Sequence, residues 1–408
     1  MSLPLGYQFM TILFKIQGYE ATKILQVGNR IEIFVEPTMR RFCQCGLSDK
    51  LYDSTPQRFY IGSVLGRAVY AVLKVYRIEC PECGIKTEYH GLSEGKRRYS
   101  PAVGKAVIRY TELLDNKSVS KLLGISKDMV YRIDKEELWI LSEKYERSIP
   151  FGEMLSVDEV SYKRGHNYAT VLTNYEDGKV IWLESDRRSG DLIKAYEKLG
   201  DNLGKITTVA MDFWAPYEKA TRKKIPKAQI VFDRFHLSRI LNRKIEEERR
   251  EYQNGLPEEE RKEIKKGCRW LILKRRENFT DNHEDQLAKL KEKNEPLYEI
   301  YLLKEDFLEI FKPERSREEG KLLINDWITR VIKLKYKKLK SFARTVQKRL
   351  DAILNWFDCP ISNGKAEGVN NVIKTLLKRA YGYKDFDYFR LKVLQKCGHL
   401  MENLPAEL

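Results

Sequence analysis

No stretch of the 408 residues stays apolar long enough to cross a bilayer. The run Phe9 to Ile16 is broken by Lys15 and falls far short of the roughly 18 residues a spanning helix needs. No signal-peptide pattern precedes it. Cysteine is scarce, seven in all, and without an export signal seven thiols do not read as a disulfide framework. These absences set the expectation of a cytoplasmic protein with no membrane partner, in which the sequons at Asn116 and Asn278 have no bearing. Acidic charge is also in deficit: 59 Asp and Glu face 75 Lys and Arg, a net charge of +16. That implies a polyanionic partner, nucleic acid before an anionic membrane surface. The length exceeds one small core and suggests two to four modules.

Three carboxylates stand out from this background. Asp158, in Ser156-Val157-Asp158-Glu159-Val160, and Asp212, in Val209-Ala210-Met211-Asp212-Phe213-Trp214, each end a short β-branched run. Glu367, in Asn363-Gly364-Lys365-Ala366-Glu367-Gly368, opens a helical pattern. Two Mg²⁺ ions, with Mn²⁺ as the alternative, hold the attacking and leaving oxygens of an in-line displacement at phosphorus when hard oxygen ligands of this kind anchor them. At 100° per residue, Glu367, Asn371, Lys374 and Lys378 share one side of a helix; Val369, Val372, Ile373, Leu376 and Leu377 cluster on the other. Such a helix buries an apolar stripe while offering a ligand, an amide and two cations to a phosphate backbone. The plainer alternative is an ordinary amphipathic helix with a solvated charged face.

Four cysteines form two close pairs, Cys43 with Cys45 and Cys80 with Cys83, each with a glycine just behind it. A metal knuckle needs that glycine so that amides can turn toward the thiolates. The expectation is a structural Zn²⁺ in a ribbon; the alternative is reduced, unliganded thiols, since the Cys43-Gln44-Cys45 gap is tighter than usual. Cys268, Cys359 and Cys397 stand singly and read as small buried or incidental residues. Further on, Ser118 to Arg132 reads as a helix-turn-helix. One helix ends at Gly124, Ile125 plugs the core, and Ser126 caps a second helix. Its second helix would present Ser126, Lys127, Asp128, Tyr131 and Arg132 to the major groove. A generic helical hairpin is the alternative.

Strand signals follow over 154–157, 168–175 and 180–184, with an Asp-Gly turn at Asp177-Gly178. A helix over 189–199, a strand over 206–211, a helix over 215–224 and a strand over 229–233 complete the order. Three strands, helix, strand, helix, strand is the ribonuclease-H-like layout, with Asp158 just past the first strand and Asp212 just past the fourth. From 233 to 360 the strand signal nearly vanishes in favour of Glu, Lys, Arg and Leu, which reads as an inserted helical domain. Its basic run 333–349 either grips DNA or builds a dimer interface, or is a solvated face. Trp270, Trp327 and Trp356 read as core. Asp233 and His236 read as auxiliary to the metal site, or else as a helix cap and a satisfied histidine.

The ordered set of motifs resembles the bacterial insertion-sequence transposases of the ISL-three family. It comprises the Cys80-Pro81-Glu82-Cys83-Gly84 knuckle, Asp158-Glu159-Val160 with Gly165-His166 and Tyr168, Asp212 with Trp214 and Tyr217, Asp233-Arg234-Phe235-His236, and Asn363-Gly364 through Ala366-Glu367-Gly368 to Asn370-Asn371 and Ile373-Lys374. The resemblance spans nearly the whole chain and implies a DDE transposase. It implies an α/β multidomain protein: a ribonuclease-H-like catalytic domain with an all-α insertion, preceded by a zinc ribbon and a helix-turn-helix. The expected division is 1–95 zinc ribbon, 96–148 helix-turn-helix, 149–236 first catalytic part, 237–357 insertion and 358–408 second catalytic part.

In this reading Asp158, Asp212 and Glu367 bind two Mg²⁺ and are catalytic, and Cys43, Cys45, Cys80 and Cys83 bind Zn²⁺. Asn371, Lys374, Lys378 and Arg379 contact phosphates, which contributes affinity rather than sequence choice. The partners are the terminal repeats and target DNA, bound by a homodimer or larger assembly in the bacterial cytoplasm at the nucleoid. Two rivals stay open: a transposase-derived DNA-binding regulator without catalysis, which the intact triad disfavours, and a metal-dependent DNA nuclease, which needs neither ribbon nor helix-turn-helix.

Overall fold

A computed structural model describes residues 5–145, 152–163, 165, 167–265, 268–361 and 364–403. His166 and Asn363 of the motifs lie outside the described residues. The chain is mixed α/β, and none of its described helices is long and apolar enough to cross a membrane. It divides into two units, one of Met1–Ile149 with Thr375–Leu408 and one of Pro150–Lys374.

In the first unit a helix α1 (Leu5–Phe14) packs on a five-stranded sheet of β1 (Tyr19–Val27), β2 (Arg30–Pro37), β3 (Leu51–Val64), β4 (Arg67–Cys80) and β5 (Gly84–Thr87). The order is β1-β2-β4-β3, with β5 on the far end of β4; β2 and β4 are parallel and the other pairs antiparallel. Alternate residues of β4, namely Val69, Ala71, Leu73 and Val75, point to one face, as the two-residue period of a strand requires. There they bury against Met10, Phe14, Ile33, Val35 and Phe59.

Three helices follow, α2 (Pro101–Leu113), α3 (Asn116–Leu123) and α4 (Lys127–Tyr145). The side chains of Ser100 and Asp115 accept amide hydrogens at the first turns of α2 and α3, which satisfies otherwise unpaired helix-end donors. Gly124, at φ 66°, turns the chain between α3 and α4. A Cβ there would lie 2.2 Å from the Gly66 carbonyl oxygen, so the position requires glycine twice over. Ile125 is buried with Val107, Val119, Leu123, Val130 and Ile133, and Ser126 Oγ accepts from the Met129 amide at 3.1 Å. The same unit holds the helix Phe386–Cys397, whose Gln395 Nε2 donates to the Ile108 carbonyl at 2.6 Å. By their contacts, residues 375–403 group with the first unit.

The second unit is built on a five-stranded sheet of β6 (Met154–Lys163), β7 (Asn167–Asn174), β8 (Val180–Ser185), β9 (Thr208–Met211) and β10 (Gln229–Phe232), in the order β10-β9-β6-β7-β8. The first three strands form an antiparallel meander, and β9 and β10 add in parallel along the free edge of β6. Helices α5 (Ser189–Glu197) and α6 (Ala215–Lys224) make the crossovers and are tied by a Tyr196–Thr221 hydroxyl pair at 2.7 Å.

After β10 the described chain is helical as far as 358: α7 (Arg234–Asn254), α8 (Glu258–Lys265), α9 (Cys268–Leu273), α10 (Asp281–Lys293), α11 (Glu295–Glu309), α12 (Arg317–Lys333), α13 (Lys337–Lys348) and α14 (Leu350–Asp358). Trp327 is fully buried there and Trp356 nearly so, but Trp270 is 70% exposed. The expectation of a core Trp270 fails because α9 is a six-residue helix that buries only Cys268, Leu271 and Ile272. Asn355 Nδ2 of α14 donates to the Ile230 carbonyl at 2.8 Å, which fastens the helical segment to the sheet edge. The next helix, α15 (Gly364–Ala380), carries Glu367.

Candidate active site

The site is set by register. β6 and β9 pair from Met154 with Thr208 to Val157 with Met211, and β9 and β10 end together at Met211 with Phe232. The next residue on each strand is Asp158, Asp212 or Asp233. Neighbouring strands lie about 4.8 Å apart, so three carboxylates come from three adjacent strands at one level of the sheet. Asp158 is inside its strand rather than just past it, as the sequence suggested, because the antiparallel ladder with β7 carries β6 on to Lys163.

All three carboxylates are buried, Asp158 and Asp212 to 7% and 5% exposure. Asp233 caps α7 by accepting from the Phe235 amide at 3.0 Å, and one turn later His236 Nε2 lies 3.0 Å from Asp212 Oδ1 and 3.9 Å from Asp233 Oδ2. One ligand atom each from Asp158, Asp212 and His236 falls within 4.8 Å of the others. Burial, and then the Asp212 charge, pushes the Asp158 carboxyl up to about 6. Burial likewise raises Asp233. For His236 burial acts downward, but the Asp212 carboxylate outweighs it and holds the imidazole above its ordinary value. Like charges this close in a dry site are costly unless a cation or a proton offsets them.

Glu367 is not among the residues the structure gathers. It is exposed on α15, as are Asn371, Lys374 and Lys378, so the polar side read from the sequence does face outward. The opposite side differs in two places. Val372 is 41% exposed, and the buried stripe runs through Ala366, Asn370, Ile373 and Leu376. Asn370 Nδ2 donates to Asp158 Oδ2 at 2.7 Å, and its Oδ1 is buried without a partner among the described residues. Three residues separate Asn370 from Glu367, so the Glu367 side chain stands one helical turn away and about 60° round. Lys365 anchors the same turn by donating to the Glu176 carbonyl at 2.6 Å.

The sequence reading missed Asn370. The available signal was an amide sitting in an apolar stripe. It also missed the pair beside Asp158, in which Arg187 Nη1 meets Glu159 Oε2 at 3.1 Å. A platform under Asp212 was equally hidden: Arg349 binds Glu218 at 2.7 Å and lies 5.0 Å over the Phe213 ring, which packs edge-on to Phe232 at 4.7 Å.

The remaining candidates fall into two groups. Ser126, Lys127, Asp128 and Arg132 are exposed at the start of α4. Tyr131 is engaged internally, its hydroxyl donating to Asp385 at 2.7 Å. Arg379 is likewise spent on the Leu113 and Glu112 carbonyls, at 2.8 and 3.3 Å. The four thiols of Cys43, Cys45, Cys80 and Cys83 lie within 4.8 Å of one another, with Gly46 and Gly84 at φ 78° and 69° behind the two pairs. The Cys83 amide holds the Cys80 thiol down to about 7, whereas hydrogen bonds from Cys45 and Cys43 push Cys83 up to about 12. Of the single cysteines Cys268 and Cys397 are buried and Cys359 is half-buried.

A mixed α/β unit that brings buried Asp158 and Asp212 together with His236 from neighbouring elements defines a protein with a group of side chains that could hold a metal ion. Residues 155–393 match the DDE-type ISL3 transposase family, and the chain belongs to that family. It is 26% identical over 390 residues to the transposase of insertion sequence element IS1001 from Bordetella parapertussis, covering 92% of this chain and 95% of that one. It is 24% identical over 401 residues to the transposase of IS1557 from Mycobacterium tuberculosis, covering 91% and 90%. Among solved structures the Drosophila P element transposase strand transfer complex aligns over 73% of this chain and 92% of that one, at 9% identity and a TM-score of 0.35. Transposition is a reaction of DNA, which identifies the polyanionic partner that the net charge of +16 calls for.

Proposed function

We propose that the protein binds the terminal inverted repeats of an insertion sequence, cleaves the DNA ends by two-metal hydrolysis and joins the freed 3′-hydroxyls to target DNA. The observation that carries this is the register match of Asp158 and Asp212, two buried carboxylates with Asp158 pushed up to about 6 by its surroundings. The donor set fits a hard cation: carboxylate oxygens, and beside them the amide oxygen of Asn370, which has no partner among the described residues. Asp158, Asp212 and Glu367 are the ligands in this proposal, with Glu367 entering from one turn away on α15. Bound Mg²⁺ or Mn²⁺ would neutralise phosphate oxygens and make a water acidic enough to attack.

His236 orients Asp212, and Asp233 sets the start of the helix that carries His236, which is the supporting layer that metal ligands commonly need. The strand order β8-β7-β6-β9-β10 supports a ribonuclease-H-like catalytic domain, interrupted by the helices α7 to α14. Lys374 and Lys378 contribute phosphate contacts, and Ser126, Lys127 and Arg132 at the head of α4 read the terminal repeat as a helix-turn-helix. The four-thiol cluster suits a structural Zn²⁺, since a tetrahedron of 2.3 Å bonds has edges of about 3.8 Å. Two ends must be joined in concert, so a dimer or larger assembly on DNA is part of the proposal.

The test is a strand-transfer assay with labelled element ends and Mg²⁺. Joined product is expected from the natural protein. Asp158→Ala is expected to bind the ends normally while cleavage falls by more than about 100-fold, because loss even of an outer-layer partner costs 10- to 100-fold. Normal cleavage by Asp158→Ala would refute the assignment, and binding without any cleavage by the natural protein would favour a regulator.

A further inference from the structure

Next to Asp212 the turn after β8 and the first residues of α6 enclose an open cavity of about 520 Å³, lined by Asp186, Arg187, Arg188, Trp214, Pro216 and Lys219 among others. That lies within the roughly 300–1,000 Å³ typical of small-ligand sites. Trp214 is joined directly to the site, its amide donating to the Asp212 carbonyl at 2.6 Å. Yet its side chain does not serve the core. Trp214 is 40% exposed while Tyr217, three residues on, is fully buried. A large aromatic left exposed in a cavity wall beside charged side chains is a surface for a ligand rather than a packing element.

The wall is rigid. Arg187 is pinned to Glu159 and lies 4.3 Å from the Tyr168 ring centroid and 5.0 Å from that of Trp214. The Trp214 indole N–H donates to the Arg187 carbonyl at 3.3 Å, which fixes the plane of the ring. Asp186 takes a left-handed backbone at φ 73°, uncommon for a residue with a side chain. It persists because its amide donates to the Tyr168 carbonyl at 2.9 Å and its carbonyl accepts from Thr170 Oγ1 at 2.8 Å. Strain held from both sides in this way is characteristic of built sites. The acid itself is occupied, by the Arg187 amide at 2.7 Å and by Arg188 Nε at 2.9 Å. What the cavity offers outward is an aromatic face and the exposed cations Arg188 and Lys219.

We infer that this cavity holds one unstacked nucleotide of the DNA strand entering the Asp158–Asp212 site, its base on Trp214 and its phosphate at Arg188 and Lys219. The inference rests on the catalytic reading above only for where the strand is going. A base paired within a duplex has both faces covered by its neighbours, so away from a blunt end only an unpaired one can offer a face to an indole. Stacking tolerates any base and therefore gives position without sequence choice.

The test uses the full chain in EDTA, so that no cleavage is required, with a short duplex bearing one unpaired thymidine at its end and the same duplex fully paired. One stacked base contributes about 1–3 kcal/mol, so Trp214→Ala is expected to weaken binding of the flapped duplex by at least about 5-fold. Trp214→Phe is expected to keep most of it, and both variants to bind the paired duplex as the natural protein does. Arg188→Ala with Lys219→Ala is expected to weaken the flapped duplex selectively as well. Unchanged flap binding by Trp214→Ala overturns the inference, as does an equal loss on both duplexes. Asp158→Ala separates the two readings: it is expected to retain the flap preference whatever it does to cleavage.

Discussion

Asp158 is an anion in a place that disfavours anions, and the consequence has a sign. Its folded pKa of about 6 exceeds the ordinary 3.8, so the metal-free folded protein holds this proton more tightly than the unfolded chain does. The carboxylate therefore costs stability increasingly as pH rises from about 4 to about 6, and the full cost stands at neutral pH. Two pKa units set a ceiling of about 3 kcal/mol. Asp158→Asn keeps the shape, and an oxygen for Asn370 to reach, while removing the charge. In EDTA at pH 7.5 it is expected to be more stable than the natural protein by about 1–3 kcal/mol. The difference is expected to close as the pH approaches 4, followed by thermal or urea unfolding. A variant no more stable than the natural protein at pH 7.5 would show that the site tolerates its charge without a cation. The two aspartates were legible in the sequence because each follows a β-branched run. Asn370 was not, because a helical wheel shows which residues share a face but not that an apolar face can end on a carboxylate.

At the level of elements, periodicity served well where the pattern was local. The helix expected over 215–224 is α6 to the residue, and the five strand signals of the second unit each match a strand. It is silent where the partner of an element is remote. The helix Phe386–Cys397 buries Lys392 at 3% side-chain exposure against a fully buried Asp134, with Nζ 3.0 Å from Oδ2. The Tyr388 hydroxyl donates to the same carboxylate at 2.6 Å, and Thr111 Oγ1 to its other oxygen at 2.5 Å. Nothing in the sequence links positions 258 residues apart. Burial lowers the Lys392 pKa while the Asp134 charge acts the other way. Lys392→Met alone strands a buried carboxylate and is expected to cost about 3–5 kcal/mol in urea unfolding. Lys392→Met combined with Asp134→Asn removes both charges and is expected to cost clearly less than the two single changes added together. Additive losses would mean that the two groups do not form a pair.

For the molecule as a whole, the charge of +16 announced a polyanion but not which cations meet it. The structure sorts them. Arg379 is committed to two backbone carbonyls, whereas Lys374 and Lys378 stand exposed on α15. Affinity for duplex DNA falls with salt in proportion to the phosphates neutralised, with a logarithmic slope near −0.9 per contact. Lys374→Ala and Lys378→Ala are therefore each expected to make the slope shallower by about 1 and to weaken binding alike across unrelated sequences. Arg379→Ala is expected to leave the slope unchanged and to lower folding stability instead, since its guanidinium closes the end of α2. Anisotropy titrations between about 50 and 200 mM salt read the slopes, and thermal unfolding reads the third variant. If Arg379→Ala changed the slope while the two lysine variants did not, the DNA path would cross α15 on its other side, and Glu367 would then face away from the phosphate it is proposed to help cleave.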